Sequence, residues 1–246
     1  MLEIHTTSAG RGAAWLLEGF DYFKTSAGVW IGIGIIMIIV TVVSAVIPLA
    51  SLALQFLVPV FIGGLVLGCR EISNGGKLEI KHLFAGFSQN TGNLILLSVL
   101  YFIGIIIIGI IMFIMLFVLL GGMEFFVTAM EGDTQGIMQN SRNILLVVLI
   151  ALMLYIPLLM AFWFAPALIV LSGQGAIDAM KYSFAGCLKN IIPFLIYGLV
   201  GLVLSFLASI PLMLGWFVLM PMMMASIYIA YKDIYQGKEN TVQAQA

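Results

Sequence analysis

Six stretches of this chain run for about 20 residues with almost no charge, the length an α-helix needs to cross the hydrocarbon of a bilayer. They cover residues 29–49, 52–69, 94–120, 144–171, 191–210 and 214–231. The chain is 63% hydrophobic and 9% charged, whereas a soluble domain is roughly 45–50% apolar and about 25% charged. A water-soluble globule of this size has no interior large enough for that apolar surface. The predicted fold class is therefore an all-α polytopic membrane protein with six transmembrane helices. A polar leader up to Gly28 precedes the first run. That run outlasts the apolar region of a signal peptide, about 7–15 residues, and reads as an uncleaved anchor.

Lys and Arg set the expected orientation. Six spans bring both termini to one side. Nine of the ten basic residues fall there: Arg11, Lys24, Arg70, Lys77, Lys81, Lys181, Lys189, Lys232 and Lys238. Arg142 faces the other side, with Glu124, Glu131 and Asp133. Both termini are expected in the cytoplasm. The net charge of -1 points to no nucleic-acid partner.

Three segments are amphipathic at helical spacing but too short and too charged to span. "AAWLLEGFDYF" aligns Ala13, Leu16, Leu17, Phe20 and Phe23. "LEIKHLFAGF" aligns Ile80, Leu83, Phe84 and Phe87. "IDAMKYSFAGCL" aligns Ile177, Met180, Phe184, Cys187 and Leu188. They are read as helices in the membrane interface, seated by Phe20, Phe84 and Phe184. Arg70, Lys81, Lys181 and Lys232 are the matching candidate anchors toward anionic lipid.

These segments belong to a longer period. "HLFAGFSQN" and "YSFAGCLKN" repeat Phe-Ala-Gly and an Asn four residues on. A two-span hairpin follows each copy, and its second helix carries Pro59, Pro166 or Pro221. Eleven residues after the first and last of these prolines, Arg70-Glu71-Ile72 matches Lys232-Asp233-Ile234. The middle copy stops early, at Gly173, and carries an outer insertion over residues 121–143. The chain reads as one integral membrane domain over residues 1–246. Its three parallel-topology units cover about 11–76, 77–174 and 175–237, each an interfacial helix plus a two-helix hairpin, followed by a polar tail at 238–246. Parallel units differ from the inverted repeats of many transporters.

Little in the spans carries chemistry. Their centres hold no ionisable side chain, and an intramembrane charge would be the default sign of a relay or an ion path. Gln55 is the most polar side chain inside a span and is expected to hydrogen-bond a neighbouring helix. Pro59, Pro166 and Pro221 are expected to kink their helices. Either they reflect repeat geometry, or three kinked helices converge on a shared cavity. Gly28, Gly32 and Gly34, like Gly64 and Gly68, are expected at close helix contacts. Neither His5 nor His82 has a partner at metal spacing, and Cys69 and Cys187 fit no disulfide or metal pattern. The outer acids do not match an EF-hand loop and read as solvated charge. No catalytic residue, metal or cofactor is expected.

"GAAWLLEGFDYFK", "PVFIGGLVLGCREISNGGKLEIKHLFAGF" and "FAPALIVLSGQGAIDAMKYSFAGCLKN" resemble a family of uncharacterised proteobacterial six-span inner-membrane proteins, over nearly the whole chain. Residues 164–235 are distantly similar to the membrane domain fused to some glycerophosphodiester phosphodiesterases. The soluble phosphodiesterase domain is absent from this sequence, so that similarity implies no hydrolase, and neither family supplies catalytic residues.

The functional expectation is a non-enzymatic scaffold or accessory subunit with lipid or protein contacts at the cytoplasmic leaflet. Its expected partners are membrane lipids, anionic ones included, and a membrane protein or a second copy of the chain. The alternative is a small channel, facilitator or lipid-handling transporter with a cavity between the proline-kinked helices.

Overall fold

A computed structural model describes residues 2–123, 127, 130–132, 138 and 140–237. Among the described residues it is helical and without strands. Six of its helical stretches are long and apolar enough to cross a membrane: Ala27–Val46, Leu49–Ser73, Thr91–Leu119, Ser141–Ser172, Ile191–Ser209 and Trp216–Gln236. Glu124 and Asp133 of the outer insertion, Lys238 and the tail 238–246 lie outside the described residues.

The elements run in order as α1 (Arg11–Thr25), α2 (Ala27–Val46), α3 (Pro48–Ser73), a 3-10 helix (Ile80–Ser88), α4 (Thr91–Leu119), α5 (Ser141–Trp163) and α6 (Ala165–Ser172). They continue as α7 (Ala176–Lys189), α8 (Ile191–Ser209), α9 (Trp216–Tyr231) and a π turn (Lys232–Gln236). The chain forms two compact units. One holds residues 1–98 and 160–246; the other holds 99–159. In the smaller unit, Gly104 meets the side chain of Leu158, and Asn143 donates to the Leu119 carbonyl at 2.9 Å.

Local chemistry explains the breaks. Ile47 precedes Pro48 and is extended (φ -114, ψ 105), because a residue before proline is driven out of the helical region. Pro48 then opens α3, where its missing N–H is no loss. Gly173 ends α6 at φ +66, the left-handed cap that glycine adopts without strain.

The larger unit is organised around three helices, α3, α6 and α9, which pack on one another and bury Pro59, Pro166 and Pro221. Pro59 and Pro221 lie inside α3 and α9. The expected helix 144–171 is interrupted at Phe164, two residues before Pro166. That stretch divides into α5 and α6, and Pro166 sits in the first turn of α6. A second proline, Pro157, is the one inside α5. At the break, the Ser183 hydroxyl accepts the Phe164 N–H (2.9 Å) and donates to the Met160 carbonyl (2.6 Å). It satisfies groups that would be costly to leave unpaired in lipid.

The amphipathic segments dock on these proline helices: α1 on α9, the 3-10 helix on α3, and α7 on α6. Gly19 presses on the Met222 carbonyl, next to Pro221, and Gly86 presses on the Val60 carbonyl, next to Pro59. Lipid tails are as apolar as Leu, so spans associate through close van der Waals contact rather than hydrophobic exclusion. Glycine permits that contact, with room for Cα–H···O interactions. The second segment winds as a 3-10 helix, not the expected α-helix. Residues i and i+3 then fall in line, and Leu83 and Gly86 form one buried edge. Glu79 and His82 close a capping box at its start, with His82 Nδ1 accepting the Glu79 N–H at 2.9 Å.

The expected glycine contacts divide. Gly64 meets the carbonyls of His82 and Leu83, and Gly68 meets Leu78. Gly34 reaches only ordinary contact with Phe217, and a side chain at Gly28 or Gly32 would meet open space. Gly86→Ala is therefore expected to destabilise the protein by about 1–3 kcal/mol through overpacking, while Gly28→Ala stays near wild type. Thermal unfolding in one detergent compares them, and equal midpoints would refute the docking contact.

Candidate functional site

Polar groups concentrate where α1, α3, α9 and the π turn meet, at the end of the spans that carries most of the basic residues. The chain leaves α9 through the π turn, which places Asp233 against α1. Its Oδ2 accepts the Trp15 indole N–H at 2.8 Å and the Arg11 Nε–H at 2.6 Å. Arg11 also donates to both oxygens of Glu18, at 2.6 and 3.3 Å. Burial pulls the Arg11 pKa down, but the two carboxylates outweigh it and hold the guanidinium above its ordinary value. Trp15 itself is fully buried, and its ring tilts against Phe194 and Tyr197.

The leader is strapped to this assembly. The His5 N–H donates to the Ile234 carbonyl at 2.8 Å. Asn190, between α7 and α8, accepts the Thr7 N–H at 2.8 Å and returns its own Nδ2–H to the His5 carbonyl at 3.0 Å. A hollow of about 340 Å³ opens beside the strap, lined by His5, Thr6, Thr7, Ser8, Arg11, Asp233 and Gly237.

A second group surrounds Ser73, at the end of α3. Lys232 Nζ donates to the Ser73 hydroxyl at 3.0 Å and lies 5.9 Å from the centre of the Tyr228 ring. Tyr22 and Tyr228 also interact with Ser73. Burial pushes the Tyr22 hydroxyl up to about 12, so it remains a neutral donor. Ser172 and Tyr231 share a hydrogen bond at 2.6 Å. No group of three or more His, Cys, Asp and Glu side chains arranged to hold a metal ion occurs among the described residues.

The residues singled out in the sequence are distributed as follows. Phe20 is half-exposed, stacked on Phe23 with Lys24 over its ring. Phe84 is exposed and meets the edge of Phe61, and Phe184 is half-buried. The apolar positions turned toward neighbouring spans are Trp15, Leu16, Phe23, Leu83 and Cys187. Each amphipathic segment thus has more apolar surface than one lipid-facing stripe. Lys81 pairs with Glu79 at 2.9 Å and Lys181 with Asp178 at 3.1 Å, both fully at the surface. Such exposed pairs contribute little. Arg70 is exposed near Tyr228 and Tyr231.

Gln55 departs from expectation. Its side chain is exposed and makes no hydrogen bond among the described residues. The helix-to-helix bond at that level comes from Ser98, whose hydroxyl donates to the Phe56 carbonyl at 2.7 Å. A short hydroxyl reaches a backbone carbonyl on the packed face, whereas Gln55 lies on the opposite side. Sequence reading also passed over Asn190, Ser183 and the Arg11–Asp233–Trp15 group. The Asn that ends both copies of the repeated phrase was the one available signal.

A probable inner membrane protein of Burkholderia thailandensis is 26% identical to this chain over 263 residues, covering 96% of this chain and 93% of that protein. No family model and no solved structure matches the chain. The relative's name and the six apolar helices both support a multi-pass inner-membrane location. The link to the membrane domain of glycerophosphodiester phosphodiesterases finds no support in them.

Asp233→Ala would leave the Trp15 N–H and part of the Arg11 guanidinium without a partner. A loss of about 1–3 kcal/mol is expected, read as a lower unfolding midpoint in detergent. The Asp178→Ala control, at an exposed pair, should change it little. If both variants match wild type, Asp233 does not hold α1 in place.

Proposed function

We propose that this chain is a non-catalytic membrane scaffold, or the accessory subunit of a membrane complex, acting through lipid and protein contacts at its basic end. The observation that carries the reading is the distribution of polarity. The helix bundle packs its proline helices directly on one another, with Gly63 against Val170 and Leu94. The charged and hydroxyl groups gather instead at one end, around Ser73 and Asp233. On the positive-inside rule that end faces the cytoplasm, with both termini. Three repeated units account for the shared docking of α1, the 3-10 helix and α7. An enzyme would need a nucleophile, a metal set or a carboxylate pair at a cavity, and the two carboxylates at this end, Glu18 and Asp233, are engaged by Arg11 and Trp15.

A second reading, a small channel or lipid-handling facilitator, is favoured by the burial of Pro59, Pro166 and Pro221 where three helices meet. Such a path would need α3, α6 and α9 to separate.

Isolation of the full chain in native membrane discs, followed by mass spectrometry of bound proteins and lipids, separates the readings. The scaffold reading expects a reproducible partner or a lipid set distinct from bulk membrane. Bulk lipid alone, together with solute flux in reconstituted liposomes, would overturn it in favour of the channel.

A further inference from the structure

The cations of the basic end are not equivalent. Arg11 is neutralised by Glu18 and Asp233, Lys24 by Asp21, Lys81 by Glu79 and Lys181 by Asp178. Lys189 donates to the Ile4 carbonyl. Arg70, Lys77, Lys189 and Lys232 have no carboxylate partner among the described residues. Of these, Arg70 and Lys232 occupy the matching positions eleven residues after Pro59 and Pro221. The packing of α3 on α9 brings them to one place.

That place is furnished with donors. Arg70 and Ser73 are three residues apart and share one face of α3. Ser73 takes the Lys232 ammonium at 3.0 Å and is approached by Tyr22 and Tyr228. Arg70 acts on Tyr228 and Tyr231 as well. Two positive charges and three hydroxyls therefore surround one point at the end of the spans. Each cation also sits at a helix C-terminus, whose dipole offsets about half a charge.

We propose that Arg70, Lys232, Ser73, Tyr22 and Tyr228 form a binding site for a phosphate-bearing anion, filled by the headgroup of an anionic phospholipid. Arg supplies a planar fork of donors to phosphate oxygens and Lys a point charge. The hydroxyls contribute further donors without adding charge. The site lies at the end of two spanning helices, the level at which headgroup phosphates lie. The inference names the ligand class for the lipid contacts of the scaffold reading and rests on that reading.

The test uses the purified full chain in detergent, with native mass spectrometry of retained phosphatidylglycerol. Phosphatidylcholine and inorganic phosphate serve as the other probes. Three double variants are compared: R70Q/K232Q, R70K/K232R, and K81Q/K181Q as a control that removes two paired cations of the same end. Two cations near a lipid surface contribute enough that R70Q/K232Q should retain phosphatidylglycerol about tenfold or more weakly. R70K/K232R should restore binding, and K81Q/K181Q should stay within about twofold of wild type. Phosphatidylcholine should not be retained selectively.

Competition by millimolar inorganic phosphate would assign the site to a soluble phosphate rather than a lipid and overturn the headgroup part. Equal losses in R70Q/K232Q and K81Q/K181Q would reduce the site to a non-specific basic belt and overturn the whole. Unchanged binding in R70Q/K232Q would do the same. If R70Q/K232Q fails to fold, Ser73→Ala gives the reading instead, expected as a severalfold loss at an unchanged unfolding midpoint; no loss refutes the site. A wild-type chain that retains a distinct lipid set, equally retained by R70Q/K232Q, removes this site but leaves the scaffold reading intact. A wild-type chain with bulk lipid alone removes both.

Discussion

The approach of glycine backbone to the carbonyls beside buried prolines is the contact on which the larger unit depends. Gly19 lies on Met222 and Gly86 on Val60. In hydrocarbon the hydrophobic effect does not sort one apolar helix from another, so helix pairs are selected by how closely their surfaces fit. With those two contacts in place, α1 is held on α9 and the 3-10 helix on α3. The proline helices α3, α6 and α9 are then covered at one end by polar, structured chain. The Ser73 cluster, the Arg11–Asp233 bonds and the leader strap all follow from that docking.

Hydroxyl side chains do a second, related job. Ser98 reaches the Phe56 carbonyl one turn before Pro59, and Ser183 bridges the break before Pro166. Proline removes a backbone donor, and lipid provides no water to replace it. Ser183 stands between the Met160 carbonyl and the Phe164 N–H at the break, Ser98 adds a bond to the Phe56 carbonyl, and both tie neighbouring helices together. This is why the intramembrane polarity of the protein consists largely of Ser and Thr rather than of charge.

Much of the fold was legible in the sequence, because its strongest signals are local. The spans were readable from the cost of charge in hydrocarbon, and the stop at Gly173 from glycine's tolerance of positive φ. The Asn ending the repeated phrase was readable as a turn into the next span: Asn90 separates the 3-10 helix from α4, and Asn190 separates α7 from α8. The role of the Gly in the same phrase was not legible: Gly86 and Gly186 are packing residues, against Val60 and Tyr235. Turn chemistry and close packing both select glycine, and periodicity cannot tell them apart. The exposure of Gln55 was hidden for the same reason, since it depends on which face a neighbour occupies.

The sequence alone determined six spanning segments, the three amphipathic segments that precede the first, third and fifth of them, and the gathering of basic residues at one end. Each follows from the transfer cost of individual side chains, summed along a short window. Only the tertiary structure decided which of those basic residues remain uncompensated. Arg11 finds Asp233 from 222 positions away, and Lys232 finds Ser73 from 159. Neutralisation depends on distances of a few ångströms between residues that are remote in the chain. A count of charges can place a basic end at the membrane, but it cannot show that Arg70 and Lys232 come to the same helix ends without a carboxylate partner among the described residues.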